Sequence, residues 1–189
     1  GVMGYGEGGM LALYAGAHGL SNDLGVVLQA ADCLRHRPDI HFVFLGDGKE
    51  KAHLLEEADR LRLPNVTFLP PAPKNRMVEA LAAADACLAI LKPIPLYATT
   101  YPNKVFDYMA AGRPVVLAID GVIRQVVEEA DAGIFVRPGD PQAMADAIQR
   151  LADLPDRGRS LGLHGRACIE ARFSRARLAE QLSLLLEDM

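Results

Sequence analysis

Lys104, Asp107 and Tyr108 stand at i, i+3 and i+4 within the stretch 99–116, so on a helix they share one face. Pro102 and Asn103 just before them are a helix-start signal, and Gly112 followed by Pro114 is a stop signal. The first turn of a helix presents free N–H groups, and a lysine beside them makes a natural anion site. A carboxylate one turn further along accepts hydrogen bonds from hydroxyls. Anion and hydroxyl recognition side by side suit a nucleotide or a nucleotide sugar. The same residues fit a plainer reading, in which Lys104 and Asp107 form a solvated ion pair worth roughly a few tenths of a kcal/mol and Asn103 is only a cap.

Such residues need a rigid frame. The 189-residue chain is half apolar, has 6% aromatic residues and no tryptophan, and carries a net charge of −4. This suits an Ala/Leu/Val-rich α/β protein of one domain, with a helical appendage and a sizeable core. No basic stripe marks a nucleic-acid surface, so any phosphate binding must be local. Cys33, Cys87 and Cys168 are widely spaced with no C-x-x-C. They read as reduced, buried thiols of a cytoplasmic protein, and no residue cluster has metal-ligand spacing. There is no signal peptide and no apolar run of about 18 residues, so no membrane span is expected.

Apolar runs predict strands at 11–15, 40–45, 66–69, 86–91, 115–119 and 133–136. Helical spacing predicts helices over about 24–36, 49–61 (Leu54, Leu55, Ala58 and Leu61 inward), 75–84, 122–130, 142–154, 157–171 and 175–187, besides the one that begins at 103. Ser174 is an N-cap candidate for the last. Strands alternating with helices imply right-handed crossovers and a parallel, Rossmann-like six-stranded sheet covered on both faces. Ligands of such sheets bind beyond the carboxyl ends of the strands, near a topological switch point. That places the loops 16–23, 46–49 and 92–104 in one crevice, with the prolines of 70–73 at its rim. Lys49 is within reach of it, although Lys49-Glu50-Lys51 also reads as a solvated helix start. His36, His41, His53 and His164 read as surface or helix-end residues. Gly4-Tyr5-Gly6-Glu7-Gly8-Gly9 formally matches G-x-G-x-x-G, but that fingerprint follows a strand and opens a helix. Here it precedes the first strand, and residues 1–10 are read as a linker or an expression remnant.

The pieces Leu13-Tyr14-Ala15-Gly16, Phe44-Leu45-Gly46-Asp47-Gly48, Asn65-Val66-Thr67-Phe68-Leu69-Pro70, Ala84-Asp85, Pro102-Asn103-Lys104 with its run to Val116, and Val136-Arg137-Pro138-Gly139-Asp140-Pro141 occur in a specific order. In that order the chain, over about 11–185, resembles the C-terminal, nucleotide-sugar-binding domain of GT-B glycosyltransferases. The likeness is to the retaining group 1 (family 4-like) enzymes of bacterial cell-surface polysaccharides. Pro102-Asn103-Lys104 followed by Phe106-Asp107-Tyr108-Met109-Ala110-Ala111-Gly112-Arg113-Pro114 looks most like transferases that handle amino- or deoxy-sugars in O-antigen and capsule assembly.

The resemblance implies roles for particular positions. The family often carries two glutamates eight positions apart, the first near the donor hexose and the second on the ribose hydroxyls; here those positions hold Thr99 and Asp107. Many members hold the diphosphate with an arginine and a lysine after the first strand, where this chain has Ala17 and Asn22. Lys104, with Asn103 beside it at the helix start, is then the substitute cation, stabilising the diphosphate as it departs. Backbone groups near Pro71 and Ala72 would read the base. His18 and Gly19 lie where the sugar–phosphate linkage should sit, unless His18 only caps its turn.

The implied reaction is glycosyl transfer from a nucleoside diphosphate sugar, UDP-linked, to a polysaccharide or lipid-linked acceptor, with no metal and no cofactor beyond the donor. A GT-B enzyme has two domains, so 11–189 would be the donor domain, inactive by itself, and the acceptor domain lies outside this chain. The whole protein would be cytoplasmic, with peripheral association at the inner face of the membrane. Leu178, Leu182, Leu185 and Leu186 form a seam toward the missing domain or pack on their own. Two other readings stay open: a sugar-nucleotide 2-epimerase-like isomerase, which needs acid/base residues in the cleft, and a non-catalytic nucleotide-sugar-binding module.

Overall fold

The computed structural model describes residues 9–172. The glycine-rich stretch before Gly9, the predicted helix over 175–187, its Ser174 cap and its leucines lie outside the described residues. Six strands follow one another as β1 (Met10–Ala15), β2 (Ile40–Leu45), β3 (Val66–Leu69), β4 (Ala86–Ile90), β5 (Val115–Ala118) and β6 (Gly133–Phe135). Between and after them run α1 (Leu24–Cys33), α2 (Lys51–Leu61), α3 (Lys74–Ala83), α4 (Asn103–Ala110), α5 (Val122–Glu129), α6 (Pro141–Asp153) and α7 (Arg159–Arg172). All paired strands are parallel, in the order β3-β2-β1-β4-β5-β6. The connection reverses direction between β1 and β4, so the switch point expected from the sequence lies there.

The pleat explains why the strands are apolar on both sides. Met10, Ala12 and Tyr14 of β1 point to a core shared with Leu24, Val27 and Leu28 of α1 and Met144, Ile148 and Leu151 of α6. Leu11, Leu13 and Ala15 point to the opposite core, with Leu81 of α3, Val105 and Met109 of α4, and Ile123 and Val127 of α5. Every residue of β1 is buried. Met10 therefore belongs to the sheet and not to the predicted linker.

Several local expectations need correction. Helix α2 starts at Lys51, because the preceding turn carries Gly46 and Gly48 at positive φ, and Leu55 is 40% exposed instead of inward. The loop after β4 holds a 3-10 turn, Pro95–Thr99. Cys33 is exposed, against the buried thiol expected; Cys87 is buried, Cys168 half-buried, and all three are free. No helix among the described residues is long and apolar enough to cross a membrane.

Helix α4 ends as the sequence signals predict. Gly112 takes a φ of 67°. Its N–H donates to Met109 O at 2.9 Å, while Arg113 N–H donates to Tyr108 O at 3.1 Å. This is a Schellman stop, with glycine in the left-handed position that a side chain disfavours.

Candidate functional site

The loops after β1 and β2 close on each other at the carboxyl end of the sheet. His18 N–H donates to Asp47 O at 2.8 Å, and Glu50 N–H donates to His18 O at 2.9 Å. The approach requires glycine: a Cβ on Gly46 would lie 1.9 Å from Gly16 O, and one on Gly48 2.4 Å from His18 O. Lys51 fastens the same turn, its ammonium donating to Gly46 O at 2.7 Å and Leu69 O at 3.3 Å. The β1 loop is also tied to the loop after β4. Lys92 N–H donates to Ser21 O at 2.9 Å, and the Tyr97 hydroxyl donates to Ser21 Oγ at 2.8 Å.

Helix α4 sets Lys104 into the switch point. Its Nζ donates to Tyr14 Oη at 2.9 Å and Asn22 Oδ1 at 3.4 Å, and lies 4.3 Å from the centre of the Tyr14 ring. The Tyr14 hydroxyl in turn donates to Ala17 O at 2.7 Å. Four residues on, the buried Tyr108 hydroxyl donates to Ala15 O at 3.0 Å and accepts from Ala15 N–H at 3.2 Å, which holds α4 against the end of β1. Burial lowers the Lys104 ammonium to a pKa of about 8 and pushes the Tyr14 phenol well above its ordinary range. Among the described residues no carboxylate compensates Lys104, so an anion brought to this point meets a charge left partly unsatisfied.

The two parts of the plainer reading of α4 do not hold. Lys104 turns to Tyr14 and Asn22 and forms no ion pair with Asp107, which is exposed and has no side-chain partner among the described residues. Asn103 is not a cap: Pro102 occupies that position, with no side-chain capping bond. Asn103 is the exposed first residue of the helix. Asn22, at the position where a family cation was expected, instead accepts from Lys104 and donates to Ala17 O at 3.0 Å.

The other predicted positions are distributed as follows. Gly19 is half-buried at the start of a 3-10 turn, Leu20–Asn22. Pro71 is exposed on the rim and Ala72 half-buried beside it. Thr99 is exposed, its hydroxyl donating to Leu96 O at 3.2 Å. Lys49 is exposed at the turn, and Lys51 is the lysine that reaches the crevice loops. His18 departs furthest from expectation: it is 0% exposed, and among the described residues neither ring nitrogen has a hydrogen-bond partner, so it neither caps its turn nor presents its ring to the crevice. Sequence reading did not single out Tyr14 and Lys51 as site residues. A lone tyrosine closing an aliphatic strand was the available signal for the first. Among the described residues no group of three His, Cys, Asp or Glu side chains could hold a metal ion.

Residues 10–153 match the family described as Glycosyl transferases group 1. D-inositol 3-phosphate glycosyltransferase of Nocardia farcinica is 33% identical over 165 residues, covering 83% of this chain and 35% of that protein. The enzyme of the same name from Corynebacterium urealyticum is 32% identical over 173 residues, covering 87% and 39%. The chain thus spans between 26% and 39% of the length of the first relatives it matches. Among solved structures, Anabaena Alr3699/HepE in complex with UDP superposes with a TM-score of 0.83 at 19% identity, over 96% of this chain and 50% of that one. Sucrose-phosphate synthase from Thermosynechococcus elongatus gives 0.81 at 23% identity, over 95% and 45%. The C-terminal domain of a group 1 glycosyl transferase, LpcC, from Francisella tularensis gives 0.74 at 16%, over 88% and 87%. The structures share the expected parallel, Rossmann-like architecture, and on the family match the chain belongs to the glycosyl transferases of group 1.

Proposed function

We propose that this chain is the donor-binding half of a retaining glycosyltransferase, taking a nucleoside diphosphate sugar, UDP-linked, into the crevice at the β1/β4 switch point. The observation that carries the reading is Lys104: a half-buried ammonium without a carboxylate partner among the described residues, set beside the first turn of α4. Structural relatives were solved with UDP and with UDP-glucose, which favours a uridine donor. One relative, from Corynebacterium glutamicum, is named for GDP-mannose, so the base is the first thing to test.

In this reading the diphosphate lies over the Gly16–Gly19 backbone with its charge toward Lys104. As the glycosidic bond to phosphate breaks, negative charge grows on the leaving diphosphate, and a cation already in place needs no reorganisation to stabilise it. Asp107, exposed and without a side-chain partner among the described residues, is placed to accept from the ribose hydroxyls. Backbone groups at Pro71 and Ala72 face the base. The acceptor, a polysaccharide or lipid-linked hydroxyl, is held by a domain outside this chain, in cell-surface glycan assembly at the cytoplasmic face of a membrane. The isomerase reading gains no support, because the one histidine of the crevice loops has its ring sealed away from any substrate.

Thermal shift with UDP, GDP and their sugar conjugates ranks donors directly, since a ligand that binds only the native state raises Tm. Calorimetry of Lys104→Ala with UDP and uridine then isolates the phosphate contact. UDP should weaken at least tenfold while uridine changes little. Equal weakening of both removes Lys104 from the diphosphate site.

A further inference from the structure

His18 is a buried ionisable group that the donor-binding reading leaves unused. Its ring sits in an aromatic box, 6.0 Å from Tyr14 and edge-on to Phe44 at 6.3 Å and Phe68 at 6.2 Å. The box draws one wall from each of β1, β2 and β3. Its lid is the glycine turn after β2, where even a Cβ on Gly46 would come within 3.3 Å of Nε2. Both ring nitrogens are enclosed and, among the described residues, without a hydrogen-bond partner. The charged groups acting on the ring are Lys51 from α2 and Lys104 from α4, both cations, and Asp47 from the turn. The Asp47 carboxylate is exposed and already accepts from Gly48 N–H at 2.8 Å. The His18 backbone, meanwhile, carries two hydrogen bonds that join the β1 loop to the turn after β2.

We propose that His18 is a positioning residue: its neutral ring locks the β1 and β2 loops together over the phosphate end of the crevice, and taking up a proton unlocks them, so that donor binding is lost in acid. A charged ring in this box would have two unpaired N–H donors, no hydrogen-bonded counter-ion and two lysines as neighbours. The neutral ring is stable there as an aromatic filler, in edge-on contact with two phenylalanines. Protonation therefore requires the ring to leave the box. The ring can leave only if the Gly46–Gly48 turn lifts, which breaks the loop geometry that presents Gly16, Gly19 and Lys104. Burial and the two lysines also act in this direction on the histidine, keeping it neutral below its ordinary range.

The loop-locking half of this inference stands by itself, and the donor half rests on the proposed function, so the experiment reads both. Unfolding stability and UDP affinity are measured from pH 7.5 to 5.0 for the parent, His18→Phe and His18→Gln. His18→Phe keeps an aromatic ring in an aromatic box and cannot take a proton; His18→Gln keeps a neutral polar side chain if the phenylalanine does not fold. In the parent, the unfolding equilibrium constant should rise by up to about tenfold per pH unit as pH falls below about 6.5, where the unfolded chain takes up the proton first, and the UDP Kd should rise at the same limiting slope only at lower pH, where the folded chain takes it up too. Both variants should lack this added acid limb, whatever their absolute stability. His41, also held neutral by burial, titrates identically in all three proteins and cancels in the comparison. Superimposable pH profiles for parent and variants overturn the proposal. If no protein binds UDP at any pH, the donor reading falls, while the stability profiles still decide the lock.

Discussion

Burial governs what Lys104 contributes. Its pKa in the folded chain, about 8, lies below the ordinary 10.5, so the unfolded chain holds this proton more firmly. Between those two values the native state is progressively relieved of a buried charge, and this residue's contribution to stability rises with pH, by up to about 1.4 kcal/mol per unit. Diphosphate affinity should move the other way across the same range, since the ammonium proposed to hold it is being lost. Chemical denaturation and UDP calorimetry at pH 7.5 to 10, compared with Lys104→Met, check the opposed trends; a lysine in free solvent would show neither here. Asp107→Asn addresses the ribose. A carboxylate that accepts from two hydroxyls forms charge-assisted bonds of about 1.5–3 kcal/mol, so UDP should weaken at least tenfold. Unchanged UDP affinity would return Asp107 to the solvent. The sequence placed Lys104 in the crevice because helix-start chemistry is local. It could not show the ammonium's partners, since Tyr14 and Asn22 lie 90 and 82 positions away in the chain and meet it only through the sheet. His18 misled for the related reason that a loop position says nothing of which way a ring turns.

At the scale of elements, strand and helix order followed from periodicity almost throughout, because a parallel sheet buried on both faces writes continuous apolar runs. The exceptions were ends and close approaches. Residues 92–101 gave no sign of a 3-10 turn, as its prolines suit a plain loop equally well. The α4/α7 contact was also hidden. Helix α7 crosses the stop of α4 at Gly162 and Gly165, where a Cβ would lie 2.1 Å from Gly112 O and 3.0 Å from the Ala132 Cβ. Two glycines inside a helix read as weak helix, yet here they are the condition for packing. Gly162→Ala should therefore destabilise the chain, despite alanine's better helix propensity, by about 1–3 kcal/mol of overpacking. Gly25→Ala in α1 is the control: nothing lies within 4 Å of the added methyl, and a gain of about 0.5–1 kcal/mol is expected. Urea denaturation of the two variants distinguishes steric from propensity effects by sign. A neutral or stabilising Gly162→Ala would mean that the helices do not lie this close.

For the molecule as a whole, the crevice is framed among the described residues by the loops after β1, β2 and β4 at one end of the sheet. The loops that surround it expose large apolar side chains, Leu20 at 61%, Ile94 at 45%, Leu96 at 72% and Tyr101 at 56%. All four belong to the loops after β1 and β4, on the side where Lys104 sits. Apolar groups gathered at the mouth of a polar crevice suit an apposed surface more than open water. The curated relatives are longer than this chain by enough to hold a second domain. Binding and turnover should therefore separate. In the proposed reading, donor affinity depends on Lys104, Asp107 and the glycine loops, all within this chain. Transfer also requires the acceptor hydroxyl to be held about 3 Å from the anomeric carbon, and such positioning supplies a large part of an enzyme's rate enhancement. The expectation is that the 189-residue chain binds UDP-sugar, hydrolyses it slowly at most, and forms no glycoside, whereas a longer chain with a preceding domain transfers. The measurement is glycoside formation by both proteins at equal, saturating donor, with Leu96→Ser and Tyr101→Ser in the longer chain. Those two changes should lower transfer while leaving UDP affinity of the short chain within about twofold, because both side chains stand on the exposed rim and neither contacts Lys104. Glycoside formation by the short chain at the rate of the longer one would show that the acceptor is held here, and the exposed rim would then be its binding surface.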